Sequence, residues 1–137
     1  MRVAIDGVYF GLLPRLGTEK LISLVREIGA DGVNWPFHPD YGAGNPEATA
    51  AKLAAAGVEV VSLGLTTHLS AVPGKEQEFR EVFARCAAAA RLFGTRVIDG
   101  WPMGPKEVAK EDAQRTLRAN FEAINPVAAA AGCVLSL

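Results

Sequence analysis

Two cysteines, two histidines and two tryptophans are all that this chain of 137 residues offers of the side chains most used in redox, metal and stacking chemistry. Cys86 and Cys133 lie far apart, with no CxxC and no Cys/His cluster. A disulfide framework and a cysteine-based zinc site are therefore not expected, and each thiol reads as a small buried residue in a reducing compartment. Charge of one sign is also missing. Fourteen basic residues against 15 acidic ones leave a formal charge of −1, so no basic field attracts nucleic acid or an anionic membrane. No apolar run approaches the roughly 18 residues of a membrane span. Strand-like residues begin at Arg2-Val3, which leaves no room for a charged segment and an apolar one of the secretory kind. The expectation is a soluble, cytoplasmic protein with a small neutral or weakly charged ligand. GxGxxG, GxxxxGK[ST], GxSxG and HExxH are absent. Gly42-Ala43-Gly44 comes nearest, but Glu47 stands where a third glycine would fall, and the stretch reads as a loop.

What the chain has in abundance is one pattern. Four times an alanine-rich helical stretch closes on glycine and an apolar run follows: Gly29 into Val33, Gly57 into Val58 to Leu63, Gly94 into Val97-Ile98, and Gly132 into Val134 to Leu137. With the opening Arg2 to Ile5 this predicts five strands and four helices, the order that builds a parallel sheet by right-handed crossovers. The strands lack apolar/polar alternation, as buried parallel strands do. The spacing between the glycines is unequal, so these are irregular βα units and not a solenoid. The chain stops inside the fifth strand, which predicts a single domain over 1–137 that is part of something larger.

Thr18 caps a predicted helix over 19–28, with Leu21, Leu24, Val25 and Ile28 on one face. Asn45-Pro46-Glu47 is a second start, with a capping side chain, proline at the first helical position and an acid in the first turn. The third helix sets Phe79, Val82, Phe83, Cys86, Ala90 and Phe93 on one stripe. The fourth runs from about Val108 to Ala131 with Leu117, Phe121, Ile124, Ala128 and Ala131 in register. Pro126 removes a backbone donor there and is expected to kink or split it, with Asn125 as a cap for the second half.

Polar and aromatic residues gather just after the strands: Asp6, Tyr9 and Phe10; Asn34, Trp35, Phe37 and His38; Thr66, Thr67 and His68; Asp99, Trp101 and Met103. Parallel α/β proteins place their sites at those strand ends. An open nucleotide-binding sheet would carry glycines between the first strand and helix, whereas this loop is aromatic; a barrel fits better.

Leu24 to Val33, Ala55 to Leu65, Ala87 to Ile98 and Ala128 to Leu137 together resemble the sugar-phosphate isomerase/epimerase group of xylose isomerase-like TIM barrels. The group also takes in tagatose/psicose epimerases, hydroxypyruvate isomerases, an inosose dehydratase and, more distantly, endonuclease IV. The resemblance implies a (β/α)8 barrel of about 250 residues, of which this chain supplies the first five strands and four helices. It implies proton transfer between adjacent carbons of a ketose or aldose, with one divalent Mn²⁺, Mg²⁺ or Co²⁺ polarising the oxygens and two glutamates as acid and base. The ligands come from strands five to eight, beginning with a glutamate just after a strand that reads like Cys133 to Leu137. On this reading the catalytic and metal residues lie beyond Leu137, and this chain alone binds no metal and is inactive.

The resemblance leaves a substrate-facing set. Tyr9 and Phe10 match a loop where relatives place an aromatic against the sugar, although packing on their own scaffold is equally open. Asn34 stands where relatives often have glutamate, and its amide can bind a hydroxyl. Trp35 faces either the barrel or, the reading favoured here, the helix layer. His68 falls where endonuclease IV has a zinc histidine and epimerases have neutral contacts. Trp101 replaces another such histidine, which argues against a three-zinc phosphodiesterase. Asp99 either orients a hydroxyl or, the reading favoured here, pairs with a barrel arginine. A carbohydrate is the implied partner, with neither nucleic acid nor membrane, and a homo-oligomer is open. The alternatives are a lyase of the inosose dehydratase kind and a non-catalytic half-barrel that binds ligands.

Overall fold

The computed structural model describes residues 3–7, 12–37, 45–67, 69–100 and 106–136, with only the backbone described over 12–15. Five strands, β1 (Ala4–Asp6), β2 (Gly32–Phe37), β3 (Glu59–Leu65), β4 (Val97–Gly100) and β5 (Val134–Ser136), form one parallel sheet in the order β1-β2-β3-β4-β5. Helices α1 (Leu12–Glu27), α2 (Pro46–Ala55), α3 (Glu76–Leu92) and α4 (Lys110–Ala131) alternate with them, and a 3-10 turn at Leu69–Ala71 precedes α3. Strand order that follows chain order, with crossovers of one hand, keeps every helix on the same side of the sheet. That is the winding of a barrel wall and not of a doubly wound sheet, whose order reverses.

The glycines that punctuate the sequence stop the helices as expected. Gly132 closes α4 at φ 69° and ψ 26°, a left-handed conformation that glycine adopts without a Cβ clash, and Gly29, Gly57 and Gly94 share the positive φ. Asn45 caps α2, its Oδ1 accepting from the Ala48 amide at 2.8 Å. The core lies between sheet and helices: Val33, Trp35 and Phe37 of β2 and Leu63 and Leu65 of β3 pack with Leu21, Val25, Leu53, Phe79, Phe83 and Ile98. Trp35 belongs to the helix layer, its ring stacked on Phe93 with centroids 6.4 Å apart. The α3 stripe is buried at all six expected positions. Cys86 is buried, Cys133 is half-buried, and both are free thiols. Burial pushes the Cys86 thiol up, out of reach of ionisation near neutral pH.

Two local expectations are corrected and a third is extended. A separate helical stretch precedes Gly17, whose φ 75° and ψ 166° break α1 there, so that its second part starts at the expected place; Ile28, expected on its inner face, falls after its end and is 55% exposed. Pro126 sits inside a continuous α4, without the split or the Asn125 cap. The carbonyl that loses its donor is that of Glu122, an exposed residue, so it has water to turn to. The buried residues of α4 are Thr116, Asn120, Ile124 and Ala128; Ile124 and Ala128 belong to the expected row, whose Phe121 and Ala131 are half-buried against the core, and Thr116 and Asn120 extend it.

Candidate functional site

Side chains alternate across a strand. With Val33, Trp35 and Phe37 in the helix layer, Asn34 stands on the opposite face of β2, the face that carries no helix. Register continues the row: Asp6 pairs with Asn34, Asn34 with Ser62, and Asp99 with Ser136. This face is small and polar where the other is large and apolar.

A bulge sets the row. Between Val33 and Asn34 the pairing with β3 skips Val61, so Ser62 and not Val61 stands beside Asn34. Bulges of this kind re-aim side chains next to sites. The Thr95 hydroxyl donates to the Val61 carbonyl at 3.0 Å and accepts from the Val97 amide at 3.1 Å, fixing the bulge to the start of β4. Gly32 makes room for it: a Cβ there would lie 2.7 Å from the Glu59 carbonyl oxygen and 3.1 Å from Val61 Cγ1. Gly7 donates to the Asn34 carbonyl at 3.1 Å, and a Cβ on it would lie 2.7 Å from that oxygen. The end of β1 is therefore pressed against the backbone of Asn34.

The centre of the row is a contact between β2 and β4. Asn34 Nδ2 donates to Asp99 Oδ2 at 2.5 Å. β3 runs between their strands, and its residue paired with Asp99 is Gly64. With no side chain at 64, amide and carboxyl reach each other over the intervening strand. Among the described residues the partner of Asp99 is the neutral Asn34 amide, which leaves the expected arginine pairing untested. Burial pushes the Asp99 carboxyl above its ordinary range, helped by the negative charge of Asp6. The Asn34 amide, the backbone and, more weakly, the Ser62 hydroxyl pull it back without cancelling the shift. Asn34 Oδ1 and Asp99 Oδ1 are both buried and without a hydrogen-bond partner. Two acceptors on a polar face call for donors, and hydroxyl groups supply them.

Of the five expected substrate-facing residues, Asn34 is in this row. Tyr9, Phe10, His68 and Trp101 lie outside the described residues. Among the described residues there is no group of three or more His, Cys, Asp and Glu that could hold a metal ion, so no chemical step through a metal is derived from them. No described helix is long and apolar enough to cross a membrane. Ser62 and Ser136 were not legible as site residues, because each sits inside an apolar run and only register brings it to this face.

The profile of the xylose isomerase-like TIM barrel family matches residues 22–137. The chain belongs to this family. No curated protein gives a significant match. Among solved structures, an AP endonuclease of family 2 from Brucella melitensis is 21% identical, with a TM-score of 0.74 over 98% of this chain and 53% of its own. The 3-keto-D-glucoside 4-epimerase from E. coli is 17% identical, with a TM-score of 0.73 over 100% of this chain and 55% of its own. An IOLI protein solved with a zinc atom is 13% identical, with a TM-score of 0.73, covering 100% and 51%. At these identities the likeness establishes the fold. The chain spans about half the length of the structures it matches.

Proposed function

We propose that this chain is the substrate-facing part of a sugar or sugar-phosphate isomerase or epimerase of the barrel type, its Asn34–Asp99 pair binding a hydroxyl of the sugar. The observation that carries this reading is the pair itself, with two buried, unpartnered oxygens on the helix-free face of a barrel wall. Membership in a family with an epimerase among its structural neighbours supports the reaction class.

The residues here bind and orient. Asn34 Oδ1 and Asp99 Oδ1 accept from substrate hydroxyls, and the amide-to-carboxyl bond holds both in place before the ligand arrives. Tyr9, Phe10, His68 and Trp101 are proposed as further contacts from the strand-end loops. A divalent metal, when present in the complete barrel, supplies polarisation of the carbonyl and hydroxyl oxygens. The acid, the base and the metal ligands are assigned to the strands that complete the barrel, so this chain alone is proposed to be inactive, cytoplasmic and without a nucleic-acid partner.

Deuterium wash-in tests the reading. A complete barrel containing this chain, incubated with a ketose in heavy water, is expected to exchange the hydrogen on the carbon beside the carbonyl, and Asn34→Leu to raise KM more than it lowers kcat. No exchange with any ketose or ketose phosphate would remove the isomerase and epimerase assignment.

A further inference from the structure

Asn120 is the least expected residue in the core. It is fully buried on the inner row of α4, between Thr116 and Ile124, where leucine would fill similar volume with no polar atom to desolvate. Its Nδ2 donates to the Ser70 carbonyl at 2.9 Å, across fifty residues of sequence. Its Oδ1 has no partner, and neither has the hydroxyl of Ser70, a residue only 4% exposed. A buried amide that uses one arm and leaves the other unmet is a poor device for stability, since each unpaired polar atom costs about 1–3 kcal/mol. The single bond it makes goes to the segment that leaves β3 at the strand ends, where the proposed site lies.

That segment is tied at its other points too. The Thr66 amide and hydroxyl both donate to the Phe37 carbonyl at 3.2 Å, fastening the exit of β3 to the end of β2. Thr67 Oγ1 accepts from the Leu69 amide at 3.2 Å, and the Val72 amide donates to the Leu69 carbonyl at 3.2 Å, closing the 3-10 turn. Phe37 anchors one end of the segment, and α4 holds the other through the bond from Asn120 to the Ser70 carbonyl.

We propose that Asn120 is a positioning residue: from α4 it holds the 3-10 turn Leu69–Ala71, which follows β3, against the C-terminal edge of the sheet, and its presence in the core serves that placement and not core stability. The inference rests on the site lying at these strand ends, but its test does not depend on sugar binding. Among the described residues no other donor reaches the Ser70 carbonyl, so without Asn120 the turn is expected to open toward water to satisfy it.

Amide hydrogen exchange on the 137-residue chain reads this directly. In Asn120→Leu the amides of Leu69 and Val72 are expected to exchange about tenfold faster, as loss of one buried hydrogen bond implies, while those of Phe83 and Cys86 in α3 keep their rates. Ser70→Ala, which keeps the backbone carbonyl and removes the orphaned hydroxyl, is expected to leave Leu69 and Val72 protected. In the unaltered chain the Asn120 side-chain amide is expected to exchange slowly and to share a scalar coupling across the hydrogen bond with the Ser70 carbonyl carbon. Equal acceleration at Leu69, Val72, Phe83 and Cys86 would overturn the proposal, because Asn120 would then be an ordinary core residue. So would a rapidly exchanging Asn120 amide in the unaltered chain, a result that needs no variant to fold.

Discussion

Asn34 on β2 and Asp99 on β4 are joined at 2.5 Å although a strand runs between theirs. The β3 residue paired with Asp99 is Gly64, which contributes no side chain to that face, and the one paired with Asn34 is Ser62. Gly64→Val is expected to separate the pair while leaving the sheet intact, since valine suits a strand. The measurement is the Asn34 side-chain amide signal in a nitrogen–proton spectrum, which should move to the position of an exposed amide while β3 backbone signals persist.

The raised pKa of Asp99 gives stability a pH dependence of known sign. The folded state holds the proton more tightly than the unfolded chain, so the native form binds more protons over the window between the ordinary aspartate pKa and the raised one. The contribution of Asp99 to stability is fully present below that window and is lost as pH rises through it. Asp99→Asn is expected to flatten the slope of the thermal midpoint with pH there. An unchanged slope would assign the dependence to another group.

Trp35 is 1% exposed and stacked on Phe93. Trp35→Ala is expected to cost about 3–5 kcal/mol by opening a large cavity beneath the helices, measured as a fall in the urea midpoint. A loss under about 1 kcal/mol would place the ring outside the close-packed core.

Gly57 has φ 69°, and a Cβ there would meet nothing within 4 Å. Gly57→Ala is therefore a backbone test, expected to lose about 1–2 kcal/mol in chemical denaturation with no change in the spectra of distant residues.

Much of the fold was legible because it rests on local chemistry. A glycine stop after each helix, the Asn45-Pro46-Glu47 start and the Phe79-to-Phe93 stripe are read from neighbours in sequence. What escaped depends on placement. Ser62 reaches Asn34 only through the bulge at Val61, and no residue of β3 announces it. Asn34 and Asp99 were both marked as strand-end residues, yet their union needs register across three strands and the absence of a side chain at 64. On α4 the expected row held at Ile124 and Ala128, whereas Thr116 and Asn120 escaped because an apolar stripe was sought. Tyr9, Phe10, His68 and Trp101 lie outside the described residues, so their roles rest on the family pattern.

β1 and β5 each have one strand neighbour, and Val134 on β5 is 62% exposed. Unpaired parallel edges beside apolar side chains recruit other strands. The purified chain is expected to self-associate in light scattering, in proportion to concentration, and fusion to the strands that close the barrel is expected to give one species. A chain that stays monomeric at high concentration would favour a self-standing half-barrel.

The most direct test of the proposed site is a titration of the isotopically labelled chain with D-fructose, followed at the Asn34 side-chain amide and at the backbone amides of Ser62, Gly64 and Asp99. A half-site held by two acceptors predicts weak, saturable binding in the millimolar range, about −4 kcal/mol, with shifts confined to the helix-free face and lost in Asn34→Leu. Shifts that persist unchanged in Asn34→Leu, or none up to the solubility limit of the sugar, would contradict it.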